Sequence, residues 1–144
     1  MLIAINQAPD FVLEVLYNLR EDDKKEMMQE FGSDWLKIIY DNSKKANVKI
    51  IMNQRYHPVG LYAIKELDKQ TAQICLLTTE EIKKDDVYFL LAMKKQIQEW
   101  KQKYKRLENY VYKHNKQAIK WLRWLGFNLE EYDKNKVYFY METK

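Results

Sequence analysis

The chain has 144 residues, of which 14% are aromatic and 32% charged, a mixture too rich in apolar rings for a disordered polymer. Twenty-five basic against 21 acidic residues leave a formal charge of only +4, and a single cysteine, Cys75, excludes an intrachain disulfide. Two histidines, three glycines and no run of about 18 apolar residues argue against a clustered zinc site, a P-loop, a dinucleotide fingerprint or a membrane span.

These limits predict one domain over residues 1–144, soluble and cytoplasmic. The segment Met1 to Asn6 lacks the basic flank and long apolar stretch of a signal peptide. Leu2 to Ile5 reads as a short strand, and Pro9-Asp10 opens a helix on Phe11, Val12, Val15, Leu16 and Leu19. A polar run at Glu21 to Lys25 precedes a short helix over Asp23 to Phe31, stopped by Gly32. Ser33 is the expected N-cap of a third helix that carries Trp35, Leu36, Ile38, Ile39 and Tyr40 until Asn47.

Val48 to Met52, Val59 to Lys65 and Gln73 to Thr78 are rich in β-branched and aromatic residues, and turn-prone breaks separate them. They predict an antiparallel meander. A long helix follows from Asp85 or Asp86, with Val87, Leu90, Leu91, Ile97, Trp100 and Tyr104 expected inside and lysines on the opposite face. Leu107 to Lys113 alternates as a strand, Asn115 caps a helix on Ala118, Ile119, Leu122 and Leu125, and Gly126 ends it. Leu129 to Tyr132 and Val137 to Met141 flank the polar turn Asp133 to Lys136 as a closing hairpin.

The run from strand into Asn115, Ala118 and Ile119, ending in Gly126-Phe127, resembles the last β-α unit of the Gcn5-related N-acetyltransferase (GNAT) superfamily. The whole element order agrees with that resemblance. It implies an α+β fold: a mixed, mostly antiparallel central sheet of about six to seven strands flanked by helices, with the fourth and fifth strands splayed. Within the superfamily, Gln73 to Ile82, the lysine-rich helix, Asn109-x-Val111 and the Asn115 to Phe127 helix resemble the internal virion protein family of podophages.

The resemblance implies acetyl-CoA as cofactor, no metal, and direct attack of an unknown amine on the thioester. It assigns the cofactor to backbone groups near Leu76, Leu77 and Thr78 and to Asn115. The family's phosphate loop, Gln/Arg-x-x-Gly-x-Gly/Ala, is replaced here by Thr79 to Asp86, which holds no glycine and four carboxylates. Lys83 and Lys84 are the groups left to pair with a diphosphate, although the same stretch reads first as an ordinary acidic helix start whose carboxylates complement the macrodipole. Leu122 stands where many family members carry a tyrosine acid.

Candidates for proton transfer are therefore Tyr110, Tyr112 and His114 at a strand end, and Glu66 as a base acting through water. Lys94, Lys95, Lys101, Lys103, Lys105 and Arg106 read as a solvated helix face interspersed with glutamates, and nucleic acid is not the expected partner. Two functions fit: an acyl-CoA-dependent N-acetyltransferase, or a catalytically inactive phage virion, packaging or host-binding protein of the same fold.

Overall fold

A computed structural model describes residues 3–6 along the backbone and residues 9–143 in full. Chain order is β1 (Ile3–Asn6), α1 (Pro9–Tyr17), α2 (Glu21–Phe31), α3 (Trp35–Ser43), β2 (Asn47–Met52), β3 (Pro58–Glu66), β4 (Thr71–Thr78), α4 (Asp86–Lys103), β5 (Arg106–Tyr112), α5 (Lys116–Leu125), β6 (Asn128–Glu131) and β7 (Lys136–Glu142). The strands hydrogen-bond in the order β1-β2-β3-β4-β5-β7-β6. β4 and β5 pair in parallel, while β1–β2, β2–β3, β5–β7 and β6–β7 are antiparallel. This is the expected α+β architecture. Leu2, expected in the first strand, lies outside the described residues.

The chain divides into two compact units, Met1–Ile64 with Cys75–Phe89, and Lys65–Ile74 with Leu90–Lys144. In the first, α1 turns Val12, Val15 and Leu16 onto Val48, Ile50 and Met52 of β2, Leu61 of β3 and Leu77 of β4. The i, i+3, i+4 spacing on the helix and the alternation on the strands bring these side chains to one core. Burying each contributes about 1.5–3 kcal/mol. Trp35 of α3 completes the cluster.

In the second unit, Leu107 and Val111 of β5 and Phe139 and Met141 of β7 are buried. Phe127 follows α5 and meets Phe139 edge to face at 5.2 Å. The register also sets Arg106, Glu108, Tyr110 and Tyr112 opposite Glu142, Tyr140, Tyr138 and Lys136. Across the two strands Arg106 lies 4.3 Å over the Tyr140 ring, and the Tyr110 and Tyr138 rings are 5.2 Å apart. Cross-strand pairs of this kind stabilise a half-solvated sheet face.

Three local expectations are corrected. Helix α2 begins at Glu21, because three consecutive acidic residues there complement the amino-terminal dipole. Ser33 is not the cap of α3: Asp34 occupies that place without a side-chain bond, and α3 ends at Ser43, so that Asn47 opens β2. On α4 Ile97 is buried as expected, but the stripe runs back from it through Met93 and Phe89, four residues apart, whereas Val87 and Leu91 are exposed. Both stripes have helical period. Only the tertiary neighbours select between them.

Candidate active site

The carboxyl-terminal end of β4 carries a buried hydrogen-bond network in the first unit. Thr78 is fully buried, and Arg20 and Asp23 are each 3% exposed. The Arg20 backbone N–H donates to the Thr78 carbonyl at 3.0 Å, and Leu19 bridges Thr79 in antiparallel fashion. Asp23 Oδ2 accepts from both the Thr78 N–H (3.0 Å) and its hydroxyl (2.9 Å). Arg20 Nε donates to Thr78 Oγ1 and Arg20 Nη2 to Asp23 Oδ1, each at 2.8 Å. The one backbone donor of Thr78, expected to meet a cofactor amide, is therefore already committed.

Strand alternation sorts the neighbouring positions. Thr79 N–H donates to Val59 O on β3 at 2.9 Å, so Leu77, two residues earlier, faces β3 as well, while Leu76 and Thr78 face the other edge. Of the three positions taken from the resemblance, Leu76 is the one whose backbone faces that edge without the Arg20–Asp23 cover seen at Thr78. Cys75, before it, keeps an exposed surface, yet protein packs closely enough around the sulfur to govern its titration. Desolvation, then the nearby Asp23 and Glu26 carboxylates, pushes the thiol up to about 11, so the thiolate is scarce at neutral pH.

The segment after Thr79 forms a 3-10 turn, Glu80–Asp85, that runs directly into α4. Lys83 is paired with Glu80 at 2.9 Å on the exposed surface, and Lys84 is exposed beside it. A cavity of about 430 Å³ opens next to this turn, lined by Glu14, Asn18, Leu19, His57, Pro58, Thr79, Glu80 and Glu81. Glu81 Oε1 accepts from Asn53 Nδ2 at 3.2 Å and lies 3.4 Å from His57 Nδ1. Three carboxylates and no lysine or arginine line this space, so its potential favours cations over phosphates. Sequence reasoning missed Glu14 and His57 here, because they lie 67 and 24 residues from Glu81 and nothing in their local spacing joins them.

In the second unit the β4–β5 ladder pairs Thr71, Ala72 and Gln73 with Arg106, Leu107 and Glu108. At the next carbonyl, Ile74 O accepts instead from the Asn109 side chain, at 2.7 Å. A side-chain amide substitutes for the next rung, which is compatible with the expected splay. Tyr112 and His114 lie together at the far end of β5, their rings 5.7 Å apart, with Lys136 Nζ 5.3 Å from the Tyr112 ring centre. Asn115 is 1% exposed, and its side-chain oxygen accepts the Ala118 N–H at 3.3 Å as the helix cap. Gly126, at φ 98, closes α5 in the left-handed conformation.

Glu66 does not join Tyr112 and His114. Its Oε2 accepts the Tyr104 hydroxyl at 2.8 Å beside the start of β5, and the turn after it returns Leu67 N–H to Thr71 O. The seven residues of β5 span roughly 20 Å at ~3.3 Å per step, too far for one proton relay. Among the described residues, no three metal-ligating side chains converge and no helix is long and apolar enough to cross a membrane.

Neither a family model nor a curated protein matches the sequence. Solved structures do match. An acetyltransferase of the GNAT family from Bacillus anthracis superposes with a TM-score of 0.75 at 13% identity, over 98% of this chain and 94% of that one. The fold is that of the GNAT acetyltransferases. PaiA N-acetyltransferase from Thermoplasma acidophilum, solved with coenzyme A, gives a TM-score of 0.72 at 14% identity and 99% of both chains. Campylobacter jejuni PseH, solved with acetyl coenzyme A, gives 0.59 at 15% identity and full coverage of both. In this chain Asn115 caps α5, Gly126 ends it, and a glycine-free acidic 3-10 turn follows β4.

Proposed function

We propose that this chain is an N-acetyltransferase of the GNAT type, transferring an acetyl group from acetyl-CoA to an amine by direct attack. The observation that carries this reading is the early end of the β4–β5 ladder. Asn109 takes the Ile74 carbonyl where the next backbone rung belongs, and an interrupted strand edge is a surface to which an extended amide-bearing arm can add.

The residues present fit acetyl-CoA at the strand edge and do not fit it as a glycine cradle. Leu76 offers outward-facing backbone, and Lys83 and Lys84 offer the positive charge. Glu80 and Glu81 oppose a diphosphate, and the Glu80–Lys83 pair has to open before Lys83 can reach one. When bound, acetyl-CoA supplies a thioester already activated toward amines. The chain's part is to orient the two reactants, and within the second unit Tyr112 and His114 at the end of β5 are the candidate proton donors.

The test is thermal. Acetyl-CoA at a hundred times its Kd stabilises the folded protein by about 2.7 kcal/mol, or roughly 9 °C for a chain of this length. Lys83→Gln with Lys84→Gln diminishes that shift. An unchanged melting temperature at millimolar acetyl-CoA sinks the reading.

A second reading has its own support: the committed Thr78 donor, the glycine-free turn and Leu122 in place of an acid. On this reading the chain is an inactive, phage-related GNAT-fold protein that works in the virion, in packaging or in host binding, within the host cytoplasm or the particle. The resemblance to podophage internal virion proteins favours it. Acetyl transfer to any member of an amine panel, abolished by Leu76→Pro, would overturn it.

A further inference from the structure

The segment after α1 behaves as a short strand laid on the edge of β4. Leu19 bridges Thr79, Arg20 N–H donates to Thr78 O, and Asp23, one turn into α2, takes the Thr78 N–H and hydroxyl. All three side chains of the cluster are at least nine-tenths buried. From these contacts we infer that the Leu19 to Asp23 segment is an autoinhibitory strap, occupying the β4 edge that an acyl donor needs and leaving it only when the start of α2 swings away.

The inference rests on the acyl-donor reading above. Its physical basis is competition for single groups. A backbone N–H makes one strong hydrogen bond, and an extended ligand running along β4 past Leu76 meets its next outward donor at Thr78. That donor points at a carboxylate held in place by its own partner, Arg20, at 2.8 Å. The strap is therefore built as a unit: moving it off Thr78 breaks the Arg20 Nε bond to the Thr78 hydroxyl together with the two Asp23 bonds, while moving Asp23 alone strips Arg20 Nη2 of its carboxylate. Such coupling favours two discrete states over a gradual loosening. A strap closed nine-tenths of the time lowers apparent ligand affinity about tenfold.

The experiment uses the full chain and acetyl-CoA. Arg20→Met with Asp23→Leu replaces the ion pair by apolar groups of similar size and keeps the site filled, a change that buried pairs commonly tolerate. The expected results are an acetyl-CoA affinity about tenfold tighter in this variant by calorimetry, and faster amide exchange at Arg20 and the first turn of α2 when the wild type is saturated. Wild type that binds acetyl-CoA while Arg20 stays equally protected overturns the strap and leaves the acetyltransferase reading standing. Unchanged or weaker affinity in the double variant also overturns it. Absence of binding to both proteins at millimolar acetyl-CoA overturns strap and reading together. Should the variant fail to fold, the wild-type exchange measurement decides alone.

Discussion

Asp23→Ala is the most informative single perturbation of this protein. The substitution removes the carboxylate 2.8 Å from Arg20 Nη2 and leaves the Thr78 N–H and hydroxyl without the acceptor they share. Both charged residues are 3% exposed, so water cannot replace the lost partner as it does on a surface. Removing one member of a buried, hydrogen-bonded pair costs about 3–5 kcal/mol, against about 0–1 kcal/mol for an exposed pair. A chain of 144 residues unfolds with an entropy of roughly 300 cal/mol/K, which converts that cost into a melting temperature about 10–16 °C lower. Urea unfolding followed by circular dichroism measures it, and Arg20→Met with Asp23→Leu is expected to recover the part of the loss that comes from the unpaired Arg20 charge, but not the part from the Thr78 N–H and hydroxyl, which still lack the Asp23 acceptor. A cost below about 1 kcal/mol for Asp23→Ala would refute the argument, because the network would then be solvated in solution.

Two further outcomes follow from single sites. Gly60→Ala places a Cβ 3.0 Å from the Leu77 carbonyl oxygen and 3.3 Å from Thr78 Cγ2, so β3 and β4 must separate slightly; a loss of about 1–3 kcal/mol in urea unfolding is expected, and a neutral result would show that this strand pair yields freely. For Cys75, a pKa raised from 9.0 to about 11 leaves about a hundredfold less thiolate at neutral pH, so iodoacetamide alkylation is expected to be about a hundredfold slower than for an ordinary thiol and to accelerate up to pH 11. A rate that levels off near pH 9 would show that Asp23, Glu26 and burial do not act on the sulfur as the structure implies.

Local punctuation was legible. The Asn115 cap and the Gly126 stop depend on one side-chain oxygen reaching three residues ahead and on one glycine at positive φ, both within a single turn of chain. The alternation of Leu107 and Val111 likewise announces which face of β5 is buried. The stripe on α4 was legible only in its second half, where Ile97 and the following Tyr104 are buried as expected; in the first half Val87-Leu91 and Phe89-Met93 both repeat every four residues. Packing decided for the second.

The candidate site divides in the same way. Sequence resemblance pointed to the end of β4, to the turn after it and to Asn115, and the absence of glycine from that turn could be read directly. It could not reveal that Thr78 is already engaged, since Asp23 lies 55 residues away, nor that Glu66 stands at the opposite end of β5 from Tyr112 and His114. Hydrogen bonds within a turn depend on neighbours a few residues apart, so the order of residue types determines them. Contacts between distant segments depend on strand register and on where a helix enters the fold, and for Arg20, Asp23 and Thr78 only the tertiary structure supplies both.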